Sequence, residues 1–193
     1  MRLFAAVLPP QDVIQDLAEA VAPLRELPAG RDLRWTAPGN WHLTLAFYGE
    51  VDEERLPALR ERLARAAAHT GPFALALGGA GQFGRGRAVW AGVRGDVRDL
   101  RFLASRTEAA ARKAGVDTEE HRRYRPHLSL ARSGRGSAPP DVRPLLDALE
   151  GYRGRSWTVD ELALVRSRLP RSGVPGEQPR YETVARWALE ASG

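Results

Sequence analysis

One short phrase occurs twice in this chain, and it constrains the fold more than any other feature. Trp41-His42-Leu43-Thr44-Leu45 stands early and Pro126-His127-Leu128-Ser129-Leu130 stands late. Each copy runs histidine, leucine, hydroxyl residue, leucine. Side chains on a strand alternate between its two faces, so His42 and Thr44 share one face while Leu43 and Leu45 share the other. The second copy separates His127 and Ser129 from Leu128 and Leu130 in the same way. Two strands that bury leucines behind and present a histidine with a hydroxyl in front make two halves of one site. A single histidine in an apolar strand is usually a packed core residue. Chance repetition of the whole face pattern, however, is a poor explanation in a chain with only 4 histidines, and the site reads as catalytic.

The remaining sequence supplies a core for such strands. A chain of 193 residues can bury one without covalent staples. Cysteine is absent, which removes disulfides, thiol nucleophiles and thiolate metal sites. The apolar run Leu3 to Leu8 is cut by Pro9-Pro10, is too short for a signal sequence or membrane span, and reads as a first strand. Val13, Leu17, Val21 and Leu24 recur at helical spacing and predict a helix over 11–27, ended by Pro28 and Gly30. Leu56, Leu59, Leu63 and Ala67 predict a second, with Asp52, Glu53 and Glu54 at the amino end of its dipole. Leu100, Leu103, Ala104, Thr107 and Ala111 predict a third, capped by Asp96 and ended by Gly115. Leu145, Leu146 and Leu149 face inward on a short fourth. Further strands are expected at 33–36, 73–77, 88–93, 157–165 and 180–189. The glycine-rich stretch 78–87 reads as a long hairpin loop, since it lacks the Lys-Ser/Thr ending of a nucleotide-binding loop. Strands mix with helices without sustained alternation, which predicts an α+β fold with largely antiparallel sheets, and the doubled phrase suggests two similar lobes with a cleft between their sheets.

Facing imidazoles suit one reaction type well. Neutral imidazole accepts a proton and imidazolium gives one, both near pH 7. In a displacement at phosphorus, one histidine takes the proton of an attacking water and the other gives a proton to the departing sugar oxygen. Thr44 and Ser129 can donate hydrogen bonds to the nonbridging oxygens, and neither a metal nor a cofactor is called for. His42 with His127 makes a poor zinc site, since four ligands are wanted and no cysteine exists to help. His69 reads as a solvent-side helix cap, and His121, in the charged stretch 119–126, as a surface residue. A net charge of +5 and a pI near 10.3 favour a phosphate-bearing partner. The near-exclusive use of arginine, with Lys113 the sole lysine, is as much a habit of genome composition as a binding signal.

Beyond the two phrases, the chain resembles the two-histidine phosphoesterase superfamily, in particular the bacterial and archaeal RNA 2′,3′-cyclic phosphodiesterases once called 2′-5′ RNA ligases. The resemblance is carried by Met1 to Ala5, Leu33-Arg34-Trp35, Asn40 to Val51, Tyr124 to Arg132, Val165 to Leu169 and Pro179-Arg180-Tyr181. It implies a single bilobal α+β domain over 1–193, with two mainly antiparallel sheets, helices outside and a pseudo-twofold cleft. It implies hydrolysis of a terminal RNA 2′,3′-cyclic phosphate to a 2′-phosphate. His42 would protonate the leaving 3′ oxygen, His127 would activate water, Thr44 and Ser129 would hold the phosphate, and Arg132 would stand near it. Two positions depart from the family pattern: Ser129 where threonine is commonest, and Tyr48 where leucine is usual. Strict alternation from His127 puts Arg132 on the wrong face, so it reaches the cleft only if the strand ends or bulges at Ala131. Phe47 and Tyr124 are candidates for stacking a terminal base, with core packing the alternative for Phe47. Arg34, Arg123 and Arg125 read as a positive rim that draws in RNA.

The expected partners are RNA ends bearing a 2′,3′-cyclic phosphate, with cyclic nucleotides as smaller substrates, and a cytoplasmic monomer without membrane contact is expected. Three other functions stay open on sequence: a 2′-5′ RNA ligase or phosphodiesterase using the same residues, a noncatalytic RNA-end binding module, and a hydrolase of small cyclic phosphates.

Overall fold

Alternation in the two histidine phrases is realised as two neighbouring strands, with Leu43 directly opposite Leu128. The computed structural model describes residues 1–118 and 123–191. His121 falls in 119–122, outside the described residues, and so does its reading as a surface residue. The strands are β1 (Arg2–Val7), β2 (Leu33–Trp35), β3 (Leu43–Glu50), β4 (Phe73–Phe83), β5 (Ala88–Gly95), β6 (Leu128–Ser133), β7 (Trp157–Val159), β8 (Glu161–Arg168) and β9 (Arg180–Ala188). The helices are α1 (Gln11–Glu26), α2 (Pro28–Arg31), α3 (Leu56–Ala68), α4 (Val97–Lys113) and α5 (Arg143–Glu150). The sheet runs β7-β4-β5-β6-β3-β1-β8-β9, with β2 also pairing β6. Its pairings are antiparallel.

The architecture is thus the α+β, mainly antiparallel one expected, with its two halves joined through the Leu43–Leu128 pair into one path. Asp160 alone separates β7, at one end of that path, from β8, near the other. Because consecutive Cα atoms stand only about 3.8 Å apart, the sheet must curl until these regions approach each other. Helices cover the outer face in pairs. α5 packs on β4 and touches α1, while α3 packs on α4, α4 on β3 and α3 on β9.

Leu3, Leu43, Leu45, Leu128 and Leu130 meet the stripes Val13 and Leu17, Leu59 and Leu63, and Leu100 and Leu103 in the main core. Full burial of one such leucine is worth about 1.5–3 kcal/mol. A one-residue slip of β3 or β6 would exchange the faces and forfeit several of these contributions, so the register that presents the histidines is held by the leucines behind them. On the inner face lies a smaller cluster of Phe4, Ala6, Ala163 and Val165, with Phe47 and Tyr181 packed against it.

Four local expectations change. β4 continues to Phe83, so the long loop shrinks to a turn at 84–87. The β4–β5 register shifts between Leu77 and Ala80, and Gly81 leaves space for the Trp90 indole, since a Cβ there would stand 2.1 Å from its Cζ2. Asp96 holds the N-cap position of α4 but its side chain makes no cap; its carboxylate accepts from the Ala74 amide at 3.0 Å, tying the helix start to β4. The strand expected over 157–165 is two strands broken at Asp160, because β7 pairs β4 and β8 pairs β1. Finally, Pro28 starts the short α2 where a simple end to α1 was expected.

Candidate active site

β3 and β6 carry a bulge at the same point of their repeat. Ala5 pairs Ala46 and Ala6 pairs Thr44, leaving Leu45 as the extra residue of β3. Val89 pairs Ala131 and Trp90 pairs Ser129, leaving Leu130 as the extra residue of β6. An extra residue shifts the alternation by one. Leu45 and Ala46 are accordingly both buried, as are Leu130 and Ala131, and the fifth residue after each histidine returns to the histidine's face. Those residues are Phe47 and Arg132. The condition for Arg132 to reach the cleft is met by the bulge at Leu130–Ala131.

A cleft of about 410 Å³ is lined by His42, Thr44, Phe47, His127, Ser129 and Arg132, together with Arg2, Phe4, Asn40, Ser167 and Tyr181. Both histidines are set the same way. His42 Nδ1 lies 2.7 Å from the Asn40 carbonyl, and His127 Nδ1 lies 2.7 Å from the Arg125 carbonyl, in each case two residues back along the chain. A carbonyl oxygen only accepts, so each Nδ1 carries the proton and Nε2 is the basic nitrogen of the ring. Aromatic rings fix the two imidazoles. His42 packs on Phe4 at 4.7 Å and edge-on to Tyr181 at 5.2 Å. His127 stands edge-on to Phe83 at 5.0 Å and tilted to Trp90 at 6.0 Å.

Electrostatics distinguish the cleft from an ordinary surface. Burial pushes His42 below the usual histidine value; the Asn40 carbonyl opposes that shift, and the charge of His127 adds to it. The His42 imidazole is therefore neutral at pH 7 in the free protein. Burial pushes the Tyr181 phenol up, against the opposing charges of Arg132 and Arg2, so it keeps its proton. Among the described residues, no three His, Cys, Asp or Glu side chains gather as the ligands of a metal ion would.

A second cavity of about 370 Å³ adjoins the cleft, shares Thr44, Phe47 and His127 with it, and adds Leu45, Phe83, Arg123, Tyr124 and Arg125. The Tyr124 hydroxyl donates to the Thr44 carbonyl at 3.0 Å, which ties the segment before β6 to β3. Phe47 both stacks with Phe4 at 6.2 Å and faces the two cavities. Arg123 and Arg125 lie at this second cavity, whereas Arg34 is exposed on β2, opposite Arg132 in register, and lines neither.

Sequence reasoning missed Arg2, Phe4, Asn40, Phe83, Trp90 and Tyr181. The first two had a signal: Leu3, Ala5 and Val7 belong to the main core, so Arg2, Phe4 and Ala6 must take the other face of β1. What sequence did not show was that β1 lies beside β3. Phe83 lay hidden because the glycine-rich stretch 78–87 read as loop, and Trp90, on the strand expected at 88–93, because sequence did not show that this strand lies beside β6.

Comparison with known proteins places this geometry. A family model described as LigT-like phosphoesterase matches residues 7–90 and 94–175. An RNA 2′,3′-cyclic phosphodiesterase of Thermus thermophilus is 36% identical over 207 residues, covering 98% of this chain and 90% of that protein. One from Geobacillus stearothermophilus is 32% identical over 160 residues, covering 80% of this chain; the match spans 47% of that relative, about half its length. The crystal structure of E. coli LigT in apo form superposes with a TM-score of 0.73 at 32% identity, covering 98% of this chain and 97% of that one.

Proposed function

The chain belongs to the LigT-like phosphoesterase family, and from that premise we propose that it hydrolyses the 2′,3′-cyclic phosphate at an RNA end to a 2′-phosphomonoester, with His42 and His127 as the proton-transfer pair. One observation carries the proposal. Two imidazoles remote in sequence, each with Nδ1 donating to the carbonyl two residues before it, line a single cleft of about 410 Å³.

The cyclic phosphate sits in that cleft. His127 Nε2 takes a proton from water as the water oxygen forms its bond to phosphorus. The P–O3′ bond breaks, and His42 Nε2 gives a proton to O3′. This order of roles follows the family resemblance. His42 is neutral in the free protein, and the negative charge of the phosphate offsets the desolvation that disfavours imidazolium, so His42 takes up its proton with the substrate. Thr44 and Ser129 hydroxyls donate to the nonbridging oxygens, and the Arg132 guanidinium faces the charge that builds on them. The terminal base enters the adjoining cavity, where Phe47, Phe83 and Tyr124 offer aromatic faces.

The test is to incubate the pure protein, with a chelator present, with an oligoribonucleotide ending in a 2′,3′-cyclic phosphate, and to follow the end group by phosphorus NMR. Conversion to the 2′-monoester alone, at a rate the chelator does not change, is the expected result. Persistence of the cyclic phosphate would leave a noncatalytic end-binding role or a hydrolase of small cyclic phosphates, and formation of joined strands would point to the ligase.

A further inference from the structure

A third cavity, larger than the cleft, has no part in the chemistry above. It is a groove of about 570 Å³ where β1, β8 and the 169–179 loop meet, and five arginines line it: Arg2, Arg166, Arg168, Arg171 and Arg180. Its volume falls in the range of ordinary ligand sites, about 300–1,000 Å³. Arg168 is held by Glu182 at 2.9 Å. Among the described residues, no carboxylate lies within ion-pair distance of the other four. Two glutamates of the lining, Glu50 and Glu177, leave the groove with a positive excess.

Arg2 joins the groove to the cleft, since it lines both, and its guanidinium lies 4.8 Å from the centre of the Phe47 ring. Its Nε is buried without a hydrogen-bond partner among the described residues.

We infer that this groove binds backbone phosphates of the RNA strand on the 5′ side of the cyclic end, an inference that rests on the phosphodiesterase reading of the cleft. The three cavities lie in an order that matches such a strand. The second cavity, with its aromatic rings, shares Thr44, Phe47 and His127 with the cleft, and the arginine groove shares Arg2, Ser167 and Leu169 with it. The second cavity and the groove share no residue. A cyclic-ended RNA likewise presents a flat base, then a ribose with its cyclic phosphate, then a chain of charged phosphodiesters leaving through the 5′ oxygen. Arginine forks suit those phosphodiesters, because each offers paired donors to phosphate oxygens.

The experiment uses two readouts on the full chain. The first is the dissociation constant of a 5′-fluorescein decaribonucleotide with a 2′-phosphate end, followed by anisotropy against salt concentration. The second is turnover of a 2′,3′-cyclic mononucleotide, which has no upstream phosphate to place in the groove. With two backbone phosphates engaged, counterion release predicts that affinity falls about sevenfold further between 50 and 200 mM salt than the end alone would give. The triple variant Arg166→Ser, Arg171→Ser, Arg180→Ser loses that extra salt dependence and binds the decamer at least as weakly as the wild type does in the higher salt, while turning over the mononucleotide at the wild-type rate. Unchanged decamer affinity in the triple variant overturns the inference, as does equal salt dependence for the decamer and a 2′-mononucleotide in the wild type. A wild type that binds the decamer through these arginines yet opens no 2′,3′-cyclic phosphate on an oligoribonucleotide leaves the groove standing and removes the phosphodiesterase reading. Should the triple variant not fold, Arg171→Glu in the exposed loop carries the same comparison.

Discussion

Replacing Gly81 by alanine should damage a histidine that the new methyl never touches. A Cβ at this position would stand 2.1 Å from Trp90 Cζ2, 2.3 Å from Cη2 and 2.7 Å from Cε2. Ordinary contact begins at 3.4 Å, so the indole has to withdraw by more than 1 Å. Trp90 cannot move alone, because it packs on Phe83 at 5.4 Å, and both rings hold His127, Phe83 at 5.0 Å and Trp90 at 6.0 Å. Forcing extra volume into a packed site costs about 1–3 kcal/mol, which a folded chain can survive. Displacing a proton-transfer group by about 1 Å costs on the order of 10²-fold in rate. Gly81→Ala should therefore lower kcat on a 2′,3′-cyclic substrate about a hundredfold, while thermal melting shows a cooperative transition lowered by several degrees. Adding Trp90→Leu, which removes the clashing ring, should recover part of the stability and leave His127 less constrained than in the wild type. A Gly81→Ala protein that melts lower yet keeps full kcat would refute the claim that Trp90 and Phe83 position His127.

Two further outcomes follow from the same cleft. Burial lowers His42 from the ordinary 6.5, so on acidification the second proton enters the pair below that value, and kcat/KM should fall on an acid limb lying under pH 6.5. The limb belongs to the coupled pair, and it should move upward in Phe4→Leu, which loosens the ring packed 4.7 Å from His42; an acid limb at or above 6.5 in the wild type contradicts the cause given. Arg132→Ala should reduce kcat by about 10²–10³-fold, the usual cost of losing a donor to developing charge, and Arg132→Lys should restore only part, since an ammonium lacks the guanidinium fork. A loss seen in KM alone would show that Arg132 holds substrate and transition state equally.

The parts of this fold that sequence revealed are those with a regular period. Val13, Leu17 and Val21, or Leu100, Leu103 and Ala104, mark helix faces because a helix returns to the same side every three or four residues. His42 with Thr44 and His127 with Ser129 mark strand faces because a strand alternates. Sequence reasoning lost its hold where the period is interrupted. Leu45-Ala46 and Leu130-Ala131 are apolar pairs that look like any buried strand, and nothing in their identity announces a bulge, so Arg132 was readable only as a condition. Gly78 to Gly81 read as loop because glycine usually leaves a strand; here one glycine makes room for an indole. The arginine groove was invisible for another reason, since it gathers Arg2, Arg166 and Arg180 from strands whose adjacency is a property of topology. An excess of arginine spread along the chain says nothing about where those residues meet.

The most direct measurement is the single-turnover rate constant for opening a 2′,3′-cyclic phosphate by His42→Ala, His127→Ala and the double variant, each checked for a wild-type-like melting transition. If the two imidazoles act as one proton-transfer pair, each single variant loses about 10²–10⁴-fold and the double variant is hardly slower than the worse single. A single variant that stays within tenfold of the wild type, or a double variant whose loss is the full product of the two, would mean that the histidines do not work together on one phosphate.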